Sequence, residues 1–171
     1  MSSTTLQKLS DRIAGEPIAG AVDAVAERSF FAVVARCPAH MLAALAKSVP
    51  HWLVATVRFD DGPVKGSMAC TLPRDLAYVL FDGFSGRDPS EPLPGERELH
   101  DLLGEFANMV CGAWLSRCAS DRAFRLGPPL VAAAGAPAGT AAGRTWIGIG
   151  NRPAAIDVCV QTEPDGAVAG A

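Results

Sequence analysis

A carboxylate, an amide and a glycine share one narrow arc of a single helical stretch, a combination of residue types that could do chemistry on a partner. Within Glu98 to Arg117, ELHDLLGEFANMVCGAWLSR, the residues Asp101, Glu105, Asn108 and Gly112 fall inside about 60° at ~100° of rotation per residue. The opposite side carries Leu102, Leu103, Phe106, Met109, Val110, Ala113 and Trp114. That face is broad enough to seat the helix on a core, so the polar stripe is expected to point outward. A solvated face ordinarily carries Lys, Arg and Glu of mixed sign, whereas Asn and Gly cost up to ~0.7 and about 1 kcal/mol relative to Ala in a helix. Such a ridge suits a helix that presents two polar groups to a partner, with Gly112 allowing close approach. The alternative is that Asn108 is an incidental surface residue and Gly112 answers a packing constraint.

The elements that must position this helix are legible from periodicity. A polar extension, residues 1–16, leads into a helix from Pro17 to Phe31, with proline suited to a first turn. Ala32 to Arg36 reads as a short strand and Met41 to Val49 as a turn or two of helix. Trp52 to Phe59 alternates around β-branched residues and passes through Asp60-Asp61-Gly62 into a second strand, Val64 to Leu72, which predicts a hairpin. Arg74 to Phe81 reads as a short helix closing at Gly83, followed by a loop with three prolines from Ser85 to Glu96. Beyond the stripe-bearing helix come Pro128, Pro129 and a low-complexity stretch, Ala132 to Gly143, read as a mobile loop. Arg144 to Ile149 and Ala155 to Thr162 read as strands, and 163–171 as a fraying tail. The expected fold is α+β: one mainly antiparallel β-sheet packed by two long helices, in a domain spanning 17–162.

Composition removes several function classes. The chain has 171 residues, 49% of them hydrophobic and 19% charged, which describes one ordinary globular domain. A formal charge of −3 argues against nucleic acid as a partner. No run approaches the ~18 apolar residues of a membrane span and the N-terminus lacks a signal-peptide core, so a cytoplasmic protein is expected. Cys37, Cys70, Cys111, Cys118 and Cys159 form no C-x-x-C pair, and an odd number speaks against a disulfide framework. They read as buried thiols acting as small hydrophobes. His40, His51 and His100 make no ligand spacing, so no metal site is expected. GIGNRP, Gly148 to Pro153, falls short of a G-x-G-x-x-G and reads as a strand end entering a turn.

The first helix holds a faint echo of the stripe: Asp23, Glu27 and Phe30 repeat the spacing of Asp101, Glu105 and Asn108, with only the amide changed. A duplicated helix-plus-hairpin unit would produce this, as would chance.

Asp101, Glu105 and Asn108, followed downstream by Pro128 or Pro129, resemble the signature of the CheC/CheX/FliY group of chemotaxis phosphatases, in which an Asp or Ser, a Glu and an Asn share a helix with a proline beyond it. The likeness continues through the N-terminal helix, the hairpin strand GPVKGSMACTL and the helix ending in FDGFSG, in the family's order from about Pro17 to Thr162. One intact triplet resembles the CheX branch, because Phe30 occupies the amide position of the other helix.

The resemblance implies hydrolysis of the aspartyl phosphate on a CheY-like response regulator, in chemotaxis or related two-component signalling. Asn108 would hold a water and aim it at phosphorus, Glu105 would pair with a regulator lysine, and Asp101 would make an orienting contact. The protein would need no cofactor of its own, with Mg²⁺ on the partner regulator, and a homodimer joined through sheet edges is an expectation. The competing reading is a noncatalytic regulator-binding adaptor or flagellar-switch-like module, whose surface would look the same.

Overall fold

Alternation of period two sorts the hairpin between the faces of a sheet. On β2 (Trp52–Asp60), Leu53, Ala55, Val57 and Phe59 are buried in the main core, while Trp52 joins a smaller cluster with Leu42, Ala46, Trp146 and Ala155. On β3 (Val64–Pro73), Val64, Met68, Cys70 and Leu72 belong to the main core. The two strands pair from Trp52↔Pro73 to Asp60↔Lys65, around a turn in which Asp60 Oδ1 accepts from the Gly62 N–H at 2.5 Å. Gly62 sits at φ +94°, a conformation that favours glycine.

The computed structural model describes residues 17–88, 90–138 and 143–162, so the expected extension 1–16 and tail 163–171 lie outside the described residues. The remaining elements are α1 (Ala19–Phe30), β1 (Val34–Ala35), α2 (Ala39–Ala46), α3 (Arg74–Ser85), α4 (Glu96–Cys118), β4 (Arg125–Leu126), β5 (Leu130–Ala134), β6 (Arg144–Ile149) and β7 (Arg152–Thr162). The sheet runs β1-β6-β7-β3-β2-β4, with β5 also on β2, and every neighbouring pair is antiparallel. Helices α1, α3 and α4 cover one face of the sheet, and α2 packs on β6 and β7 at the smaller cluster. The architecture is the expected α+β layer fold, with four helices among the described residues.

Two expectations are corrected. The stretch read as a mobile loop from Ala132 begins as strand: β5 pairs with β2 from Trp52↔Ala134 to Thr56↔Leu130. Alanine has little β propensity, but the open backbone groups of β2 supply the ladder that propensity does not. Residues 139–142 of that stretch lie outside the described residues. Helix α3 runs past Gly83 to Ser85 and closes at Gly86, whose φ of +65° suits a left-handed cap. Gly83 serves α1 instead, because a Cβ there would lie 2.0 Å from the Phe30 carbonyl oxygen.

Candidate functional site

Helix α4 begins at a backbone hydrogen-bonded to its own first turn, the Gly95 N–H donating to Glu98 Oε2 at 2.7 Å. Arg74, at the start of α3, fixes the same end through Glu96, with Nη2 to Oε2 at 2.8 Å. The Arg74 guanidinium is held above its ordinary pKa by hydrogen bonds to Tyr78 and Glu96. At the far end Trp114 meets the Phe59 ring edge-on at 5.9 Å, and Arg122 pairs with Asp61, which joins the segment after the helix to the hairpin turn. Burial of an aromatic side chain such as Phe106 or Trp114 contributes roughly 3 kcal/mol, enough to hold a helix whose stripe gives some propensity away.

The buried arc of α4 is wider than periodicity implies. Gly104, Ala107, Cys111 and Leu115 are buried together with Leu102, Leu103, Phe106, Val110 and Trp114. The extra width comes from the segment around β4 and β5, which lies against the helix flank: Pro129 Cγ is 2.9 Å from where a Cβ on Gly104 would be. Cys111, on the same flank, has its thiol pushed up to about 12, first by burial and then by Cys118. It is a core residue, as are Cys70 and Cys118, whereas Cys37 and Cys159 are exposed, contrary to the reading of all five as buried.

What remains open to solvent is the stripe, with its members in different states. Asp101 is exposed and lies 3.9 Å from Arg97, a loose i,i+4 ion pair at the surface. Glu105 is exposed and has no hydrogen-bond or ion-pair partner among the described residues. Asn108 departs from the expectation of an outward residue: it is half-buried, and its Oδ1 is shielded without accepting a hydrogen bond from any described residue. Gly112 is half-buried, and a Cβ there would meet only Leu126 Cδ1, at 3.9 Å, an ordinary contact. No packing constraint within the described residues therefore demands glycine at 112, against the Gly112 part of the alternative reading. Beside Gly112 opens a groove of about 300 Å³ lined by Leu115, Ser116, Phe124 and Leu126 among others.

Along the first helix Asp23 is half-buried, Glu27 exposed and Phe30 fully buried, its ring stacked on Phe84 and edge-on to Phe106. The echo of the stripe ends in the core. Of the two downstream prolines, Pro128 is exposed and Pro129 packs on the stripe-bearing helix. Gly104 escaped the sequence reading, although a glycine one turn before the amide of a well-formed helix was a signal that could have found it; Pro129 was one of the two prolines the resemblance offered.

Among the described residues no three His, Cys, Asp or Glu side chains gather to hold a metal ion, and no helix is long and apolar enough to cross a membrane.

A model of the family described as chemotaxis phosphatase CheX matches residues 53–143, more than half of the chain. Among solved structures, the chemotaxis protein CheX of Vibrio vulnificus is 17% identical, with 86% of this chain and 96% of that one covered at a TM-score of 0.63. A chemotaxis protein CheX of Desulfovibrio desulfuricans is 14% identical, over 86% and 99% of the two chains, also at 0.63. A CheX-CheY-BeF3-Mg²⁺ complex from Borrelia burgdorferi matches at 10% identity over 85% and 96%, with a TM-score of 0.55. At these identities the likenesses show the fold. No curated protein sequence matches the chain.

Proposed function

The chain belongs to the chemotaxis phosphatase CheX family, and from that premise we propose that it hydrolyses the aspartyl phosphate of a CheY-like response regulator. One observation carries the reading: α4 presents the uncommitted carboxylate of Glu105 within a turn of Asn108, whose Oδ1 accepts nothing from the described residues. Aspartyl-phosphate hydrolysis asks for an in-line water and charge neutralisation more than for covalent chemistry by the phosphatase. The water oxygen bonds to phosphorus, the bond from phosphorus to the aspartyl oxygen breaks, and the products are inorganic phosphate and the free carboxylate.

Asn108 aims that water. No hydrogen bond from a described residue holds its Oδ1 inward, so a turn of the amide that brings the oxygen to the stripe breaks none of those. Glu105, exposed and without a cationic partner among the described residues, pairs with a lysine of the regulator and sets the helix in register with the phosphoryl group. Asp101, already loosely tied to Arg97, makes an orienting contact at the edge of the interface. Gly112 lets the partner backbone approach, in keeping with a Cβ that the chain itself would tolerate there.

The Mg²⁺ belongs to the regulator, as the CheY and Mg²⁺ named together in the Borrelia complex support. The same reading includes a cytoplasmic setting and a homodimer, for which the outer edge of β5, paired on one side only among the described residues, is one place where two sheets could join. The test is direct. CheY-like regulators of the same genome are phosphorylated with acetyl phosphate, freed of excess, and incubated with the protein; phosphate release above the regulator's own rate is expected, and its absence with every regulator would remove the phosphatase assignment.

A further inference from the structure

Gly104 stands one turn before Asn108 on α4 and Gly112 one turn after, so the three occupy a single ridge. A Cβ at Gly104 would lie 2.9 Å from Pro129 Cγ and 3.2 Å from Pro129 Cβ, closer than packed carbons come. At the other end of the ridge Leu126 Cδ1 is the nearest atom to a Cβ on Gly112. The step from Gly104 to Gly112 spans about 12 Å of helix axis, and the step from Leu126 to Pro129 at most about 10 Å of extended chain. The segment therefore runs antiparallel to α4 along the flank on which Asn108 lies between the two glycines. It is pinned from behind, since the Gly127 N–H donates to the Arg58 carbonyl at 2.8 Å and Leu126 and Leu130 take register with Phe59 and Thr56 of β2.

We infer that Gly104 and Pro129 are positioning residues for Asn108: the missing side chain at 104 lets the Pro129 ring seat on the helix, which draws residues 126–129 close enough to wall in the amide on one side. This rests on the phosphatase reading above. The wall explains how a half-buried asparagine on a stripe whose two carboxylates are exposed comes to have a shielded oxygen. It also limits the amide to few orientations with no hydrogen bond to its Oδ1 from a described residue, so the turn that brings its oxygen to the stripe breaks no such bond. A methyl at 104 would lever Pro129 outward and loosen the wall; loss of the Pro129 ring would do the same with less force.

Turnover of an acetyl-phosphate-labelled CheY-like regulator, measured as kcat and KM, tests the assignment. Gly104→Ala should lower kcat about tenfold, the scale of a displaced positioning group, with KM within about twofold because the docking stripe is untouched. Pro129→Ala should give a smaller drop, and the double variant should recover most of the kcat lost in Gly104→Ala, since the methyl then faces the space the ring left. On an Asn108→Ala background Gly104→Ala should change turnover less than about twofold, because the residue it positions is gone. An undiminished kcat in both single variants, or the same tenfold drop on the Asn108→Ala background, would overturn the positioning role while leaving the phosphatase reading intact. If Gly104→Ala does not fold, Pro129→Ala alone and over Asn108→Ala decides by the same criteria. No turnover by the wild type would instead overturn the phosphatase reading, and this role with it.

Discussion

Phe30 stacks on Phe84 with ring centroids 5.1 Å apart and planes inclined by 25°, so the residue that stands where the amide would be in the first helix is a core aromatic. It is 1% exposed and also meets Phe106 edge-on at 5.2 Å. A carboxylate there would be buried without a partner. Phe30→Asp is therefore expected to destabilise the fold by about 3 kcal/mol or more, read as a lowered melting temperature. Glu27→Ala, at an exposed site of the same helix, should leave melting and phosphatase turnover near wild type. Turnover lost in the Glu27 variant at unchanged stability would make α1 a second working site.

Asn108→Ala separates catalysis from stability. The substitution deletes a shielded oxygen that accepts no hydrogen bond from the described residues and replaces a poor helix former with the best one. The variant should melt at or above the wild-type temperature, yet dephosphorylate its regulator about 10²-fold more slowly, the scale of a lost water-positioning group. Unchanged turnover would favour the noncatalytic adaptor.

Glu105→Lys tests docking. With no cationic partner among the described residues to lose, the exposed side chain can change sign at little structural cost, so the folded state should be preserved while like charges meet across the interface. Titration with a phosphorylated regulator should show binding abolished, and Asp101→Ala should weaken it only mildly, because Asp101 is already engaged with Arg97. Equal affinity of wild type and the lysine variant would place the interface elsewhere.

The hairpin was legible because Leu53, Ala55, Val57 and Phe59 alternate with half-buried or exposed residues, and the long helix because its apolar positions recur at helical spacing. The stripe was legible for the complementary reason: Asp101, Glu105, Asn108 and Gly112 break the rules of an ordinary solvated face. What escaped notice depends on contacts distant in sequence. Strand β5 is alanine-rich and owes its conformation to β2, some 75 to 80 residues earlier in sequence. The packing of Pro129 on Gly104 joins the helix to a segment well beyond its end, with the glycine itself as the local sign. Gly83 looked like a helix end because glycine usually is one, and only the carbonyl of Phe30 lying against it gives the actual reason.

Gly83 and Gly112 make a matched pair, both glycines inside helices, with opposite expectations. At 83 a Cβ would sit 2.0 Å from the backbone oxygen of Phe30, and backbone cannot swing aside as a side chain can. Gly83→Ala must part α3 from α1, an overpacking cost of about 3 kcal/mol against a propensity gain of about 1 kcal/mol. At 112 the nearest atom is 3.9 Å away, so Gly112→Ala should keep the full propensity gain and unfold at higher urea. Its cost should fall on function, because the added methyl stands on the ridge where the partner approaches, and phosphorylated-regulator binding should weaken while stability rises. Urea midpoints and regulator titrations on the two variants settle the contrast: a Gly83→Ala as stable as wild type would mean that the helices part without penalty, and a Gly112→Ala that binds as well as wild type would remove Gly112 from the interface.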